Sequence, residues 1–218
     1  MSIYYSIDLD FWQPAREFDS RFFRRLFSSG LPISVVVHHH HLLPHVNNHK
    51  FHTLLNLDFH SDVVLRSTDY ISAIQDPTQE LPEQCARTAL NCGNWLTYVN
   101  NDRARNLVWS YPVDDCVDTN NYFNGWTHDH AEANPFTVTD SDVSVGWEHI
   151  TAEPRLFPRL RDVSAIGIAI SPKWSGRFLT DKFIAWMRRA PMRMLAADEN
   201  CRKVLLGQKE LDYNDPGQ

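Results

Sequence analysis

The amino-acid sequence predicts an α/β fold, a single domain with a mostly parallel sheet flanked by helices. Three observations predict it. Six short runs rich in Val, Ile, Leu or aromatic residues end in polar or Pro-containing turns. Helical segments lie among them, and alternating strands and helices are the pattern of parallel sheets. The 218 residues, 43% of them hydrophobic, can fill one sizeable core but not two. No internal repeat or low-complexity linker divides residues 1–218.

The elements follow in order. Residues 3–8 (IYYSID) read as the first strand. A helix over 15–27 follows, with Phe18, Phe22, Phe23 and Leu26 as its apolar side chains. Strands over 33–37, 54–58 and 107–111 come next, each an apolar run closed by polar residues or proline. Residues 114–142 are rich in Asn, Asp and aromatics with little periodicity. They read as a long loop, a kind of segment that often carries function. Two more strands are predicted over 143–147 and 165–170. A helix over 180–189 has Thr180 at its N-cap, Asp181 in its first turn and Arg188 and Arg189 in its last, as the helix dipole favours. A final helix spans 198–206.

Composition narrows the function. The net charge is −6, without the basic excess of a nucleic-acid binder. An acidic balance suits a cationic substrate. No apolar run approaches the length of a membrane span. The opening MSIYYSIDLDFW lacks the basic and apolar regions of a signal peptide. Cys85, Cys92, Cys116 and Cys201 form no C-x-x-C pair and read as reduced thiols, so a cytoplasmic protein is expected. With 8 glycines and neither G-x-G-x-x-G nor a P-loop, the usual phosphate cradles are missing. The G-x-S-x-G of a serine hydrolase is missing too.

Three segments carry metal-binding chemistry. Asp8-Leu9-Asp10 closes the first strand, and alternation can aim both carboxylates at one site. Flanking Tyr4, Tyr5, Ile7, Phe11 and Trp12 make such acids costly to bury unless a cation meets them. Asp58-Phe59-His60-Ser61-Asp62 follows the apolar Leu54, Leu55 and Leu57, and the turn after it can bring Asp62 back. Carboxylates with imidazole are a ligand set for divalent transition metals. His38-His39-His40-His41 follows the strand over 33–37, so at least one imidazole should project from that strand end. His45, His49 and His52 are read as surface or core histidines. Open parallel sheets gather their functional groups beyond the carboxyl ends of strands, where all three segments lie. Two histidines and four carboxylates exceed the need of one zinc. They suit two hard divalent ions such as Mn²⁺, which can hold a hydroxide between them.

These residues resemble the arginase-like ureohydrolases. That superfamily carries a histidine after one strand, D-x-H-x-D after another, and an S-x-D-x-D…P segment. The last matches Ser6, Asp8, Asp10 and Pro14; the middle one matches Asp58, His60 and Asp62. The four-histidine run matches the first, with His39 chosen by its spacing before Leu43-Pro44. In conventional arginases the D-x-D segment follows D-x-H-x-D, whereas here it opens the chain, so the motif order is permuted. The match is closer to a divergent branch, the peptide arginases, which convert arginine side chains in ribosomally made precursor peptides to ornithine. Asn94-Trp95 and Ala169-Ile170-Ser171-Pro172 also look like features of that branch.

The resemblance implies an arginase/deacetylase-like fold, two Mn²⁺ ions (with Fe²⁺ or Co²⁺ as possible substitutes) and an arginine-containing precursor peptide as substrate. Asp58 and one of the Asp8/Asp10 pair would bridge the ions. His39 and Asp62 would complete one metal, His60 and the other aspartate the second. A metal-bridging hydroxide would attack the guanidinium carbon and release urea. Conventional arginases shuttle protons through a histidine soon after D-x-H-x-D, but residues 63–99 hold none. His128, His130, His149 and the spare members of the run are the candidates. Glu148, after the strand predicted over 143–147, is the candidate guanidinium anchor, and Asp140 with Asp142 a weaker pair. Trp12, Trp95, Trp109 and Trp147 read as core, and Trp126 as a peptide contact. Three alternatives stand beside this reading: hydrolysis of free arginine or agmatine, a single-zinc deacetylase, and a metal-dependent peptide-binding module without catalysis.

Overall fold

The computed structural model describes residues 2–13, 15, 17–59, 62, 95–99, 106–112, 147, 149–189 and 195–214. Among the described residues, seven strands make one sheet: β1 (Ile3–Asp8), β2 (Ile33–Val36), β3 (Thr53–Leu57), β4 (Asn106–Tyr111), β5 (His149–Pro154), β6 (Val163–Ala169) and β7 (Leu195–Ala197). Their order is β5-β4-β3-β1-β6-β2-β7, and every pairing is parallel. The predicted α/β class with a parallel sheet and flanking helices is what the chain forms.

The central strands are buried along almost their whole length, as a sheet covered on both faces requires. On one face Tyr5, Ile7, Val35, Leu55 and Ile168 pack against α1 (Ser20–Phe27), α3 (Pro172–Met187) and α4 (Glu199–Leu205). On the other, Tyr4, Val36, Leu54 and Ala169 meet Leu42, Trp95, Leu96, Trp147 and Val46 of α2 (Leu43–Asn47). From β1 the chain crosses to β2 on one side, then returns to β3 on the other. This reversal opens a crevice at the carboxyl ends of β1 and β3, the place where open parallel sheets bind ligands. β1 and β3 are neighbours, so the aspartates that close them meet in space although far apart in sequence.

Several predicted boundaries move. The first helix begins at Ser20, not residue 15, because the Asp19 side chain accepts from the Arg21 and Phe22 amides, both at 2.9 Å, and caps it there. Thr180 is not an N-cap. It is buried inside α3, 2.9 Å from the Ser175 hydroxyl. That helix starts at Pro172 and is kinked at Gly176, whose φ of 71° lies in the left-handed region. The last helix agrees with its prediction, capped by Asp198 on the Cys201 amide. Among the described residues, no helix is long and apolar enough to cross a membrane.

Trp147 lies outside any strand, and β5 starts two residues later at His149. Of the strand predicted over 143–147, residues 143–146 lie outside the described part of the chain, and β5 over His149–Pro154 was not predicted.

One glycine ties fold to site. A Cβ on Gly167 would come within 2.8 Å of the Tyr4 hydroxyl and 2.8 and 2.9 Å of the two Leu42 methyls. Leu42 is fully buried and ends the 3-10 turn His39–Leu42. Gly167→Ala is expected to cost about 1–3 kcal/mol of stability through overpacking. Urea denaturation would measure it, and the same shift should disturb the His39 turn.

Candidate metal centre

The site assembles from strand ends. Asp8 is the last residue of β1, Asp58 follows β3, and His39 follows β2 after two residues. All three are buried, and their ligand atoms lie within 4.8 Å of one another. This group could hold a metal ion, and among the described residues it is the one such group.

His39 sits at its centre. Its Nδ1 lies 3.2 Å from Asp8 Oδ2, 3.0 Å from Asp58 Oδ2 and 2.7 Å from Asp62 Oδ2. None of these oxygens is in line to accept an N–H, so the buried nitrogen has no hydrogen-bond partner. Three oxygens converging on one nitrogen without hydrogen-bond geometry is the arrangement of ligands around a cation. Ligand atoms on an octahedral ion with ~2.1 Å bonds stand about 3.0 Å apart. The three contacts fall around that separation, so the residues fit a divalent ion.

Each candidate ligand has its own neutral partner. Ser6 Oγ lies 2.8 Å from His39 Nε2. Ser6 is thus the partner of the ring nitrogen that faces away from the carboxylates. Ser171 Oγ donates to Asp8 Oδ2 at 2.5 Å, and the Asp10 amide donates to Asp8 Oδ1 at 3.0 Å. Asn56 Nδ2 donates to Asp58 Oδ2 at 3.2 Å, and Trp95 Nε1 donates to Asp62 Oδ2 at 2.6 Å. The Trp95 ring also packs on His39, centroids 4.7 Å apart. Partners of this kind fix the orientation of metal ligands.

Burial pushes the Asp58 carboxyl up to about 7, helped by Asp62 and Asp8 and opposed by His39. Burial likewise raises Asp8, with Asp10 adding to the shift and His39 and Ser171 resisting it. Burial pulls the His39 imidazole down, but the Asp62, Asp58 and Asp8 carboxylates outweigh it and hold the ring well above its usual range. Without a metal, these acids are held in a site that disfavours their charge.

Asp10 is not presented by strand alternation, because β1 ends at Asp8 and Asp10 lies in the 3-10 turn Leu9–Trp12. It is nevertheless buried, and its Oδ1 accepts from the Phe59 amide at 3.2 Å, next to Asp58. Asp62 returns to the cluster as the turn chemistry suggested, with a left-handed φ of 56°. His38, His40 and His41 contact one another, and His41 lies 3.7 Å from Asp198. His45 lies 3.1 Å from Ser34 Oγ.

His60, Asn94, Trp126, His128, His130, Asp140, Asp142, Glu148 and the loop over 114–142 lie outside the described residues. His149 is in register with Asn106, Thr53 and Ile3 across three pairings. That places its backbone at the amino-terminal edge of the sheet. It lies five residues below the level of Asp8, about 17 Å at ~3.3 Å per residue. The His149 backbone therefore stands at the opposite end of the sheet from the strand ends that carry the cluster.

Ser6, Trp95 and Ser171 stand in the sequence only as motif or core residues, and Asn56 not at all, yet each contacts a candidate ligand. The signal for two of them was present: Ser6 with Asp8, and Asn56 with Asp58, are i, i+2 pairs on one strand face. Trp95 is both buried core and a donor to Asp62. Comparison with known proteins gives no matching family model, no matching curated protein and no matching solved structure.

Proposed function

We propose that this chain is a manganese-dependent hydrolase that converts peptidyl arginine to ornithine and urea. The observation that carries the metal half of the reading is the His39 nitrogen facing three carboxylate oxygens in a buried cluster. Three carboxylates and one imidazole are a hard donor set, suited to Mn²⁺ and less so to zinc. The arginase-like motifs support the substrate half, together with the excess of anionic over cationic groups, which favours a guanidinium at moderate range.

Asp8, His39, Asp58 and Asp62 would hold one ion, and Asp10 and His60 are the donors proposed for a second. Bound there, the ions would supply a hydroxide at neutral pH. The chain's own part is to orient and to exclude water. Ser6, Asn56, Trp95 and Ser171 fix the ligand faces, and Trp95 covers His39. An arginine-containing precursor peptide is the proposed partner.

The test is mass spectrometry of an arginine-containing peptide incubated with Mn²⁺-loaded protein, with urea assayed in parallel. A loss of about 42 Da per arginine, the mass of CN₂H₂, with matching urea is expected. Asp58→Ala should abolish it. Turnover of free arginine or agmatine with peptides untouched would move the reading to a small-molecule ureohydrolase. No product from any guanidino compound, with Mn²⁺ tightly bound, would overturn hydrolysis altogether.

A further inference from the structure

Three described non-glycine residues have a positive φ: Asp62, Arg155 and Ser171. Two of them touch the same cluster. Ser171 has φ 45° and ψ 62°, a left-handed conformation that serine rarely adopts. Glycine or asparagine would occupy it at less cost. Strain of this kind persists where the surroundings over-determine it, and it gathers at functional sites.

The surroundings here are explicit. The Ser171 amide donates to the Val37 carbonyl at 2.8 Å, tying the end of β6 to the end of β2. Its carbonyl takes the Ser175 amide at 2.9 Å and the Ser175 hydroxyl at 3.0 Å, starting α3. Between these two fixed ends the left-handed turn carries the buried Ser171 hydroxyl to Asp8 Oδ2 at 2.5 Å. That is the oxygen facing His39 Nδ1, while Oδ1 is held by the Asp10 amide. Asp8 is thus gripped at both oxygens from two different segments.

We infer that Ser171 is a positioning residue for the metal centre: its hydroxyl sets the face that Asp8 presents, and the left-handed strain is kept for that hydroxyl. The inference rests on the cluster being a metal site.

Mn²⁺ titration, read as the electron paramagnetic resonance signal of the free ion, tests it on the full chain and three variants. Melting of the metal-free proteins is measured alongside. Ser171→Ala keeps the strain and removes the hydroxyl; Ser171→Gly removes both. Both are expected to bind Mn²⁺ 10–100-fold more weakly, the usual cost of losing a partner of a metal ligand. The glycine variant should nevertheless melt above the alanine variant, because it relieves the backbone. Ser171→Asn, which tolerates the conformation and offers an N–H donor, should recover part of the affinity.

The loss then follows the donor and not the stability. A glycine variant that binds like the wild type, or affinities that rank with melting temperature, would overturn the inference while leaving the metal site intact. A wild-type chain that takes up no Mn²⁺ would overturn the metal reading, and this inference with it.

Discussion

Asp58→Asn is expected to stabilise the metal-free protein at pH 8 and to abolish its stabilisation by Mn²⁺. Asp58 is buried, and its carboxyl is pushed up to about 7 by burial and by Asp62 and Asp8. The folded state therefore holds the proton more tightly than the unfolded chain, whose carboxyl titrates near 3.8. Asp58 contributes stability that is full below about pH 4 and is lost as pH rises through about 7. The raised His39 works in the same direction: its contribution is full below the usual imidazole range and fades as pH rises through its higher folded value.

Asparagine has no such loss. It keeps an oxygen for the Asn56 amide donor and removes one buried negative charge. By linkage, a carboxyl raised from 3.8 to about 7 is penalised above pH 7 by on the order of a few kcal/mol, a cost that asparagine does not carry. The advantage over wild type should be absent at pH 4 and largest above pH 7. Mn²⁺ reverses the order, because a cation relieves the same repulsion in the wild type. Its stabilising effect should grow with pH as it ceases to compete with protons. Melting curves at pH 5.5 and 8, with and without Mn²⁺, check all of this. A wild type more stable than Asp58→Asn at pH 8 without metal would refute it.

The parts of the fold legible in the sequence share one physical cause. The strands placed correctly are β1, β2, β3, β4 and β6, all flanked by neighbours on both sides. Burial from both faces makes them continuous apolar runs. The two strands missed, β5 and β7, are the outer strands of the sheet. β5 reads HITAEP, with Glu153 and Pro154 exposed, and gives no apolar signal; β7 has only three residues. Trp147 serves the core as expected, its Nε1 donating to the Leu96 carbonyl at 2.9 Å.

The site was legible where its residues close inner strands. Asp8, Asp58 and the histidine run were found by their position after apolar runs, and Asp62 by the turn that follows. The choice of His39 within the run came from resemblance, and the 3-10 turn gives the physical reason. Packed by Leu42 over Gly167, it points one ring of the four into the crevice. Ser171 was not legible as a partner, because a left-handed φ at a serine leaves no mark in hydrophobic patterning.

His39→Ala is expected to produce the largest loss of stability at this site. The imidazole is the cationic member of a buried group otherwise made of Asp8, Asp58 and Asp62, with Asp10 nearby. Removing one partner of a buried charge set leaves the others uncompensated, which costs about 3–5 kcal/mol. The truncation also leaves a cavity under the Trp95 ring and deprives Ser6 of its partner. The charge part of the loss should be full below the usual imidazole range and should fade as pH rises through the raised folded value of His39. Mn²⁺ should not restore it, because the ring nitrogen that would complete the donor set is gone. Urea denaturation at pH 4.5 and 7.5, with and without Mn²⁺, separates the two contributions. A packing defect alone predicts the same loss at both pH values, whereas an electrostatic one predicts a larger loss at 4.5 than at 7.5. The double variant His39→Ala/Asp58→Asn makes the same distinction independently. If charge dominates, the second substitution should recover part of what the first removed, because the two residues are in contact and their effects do not add.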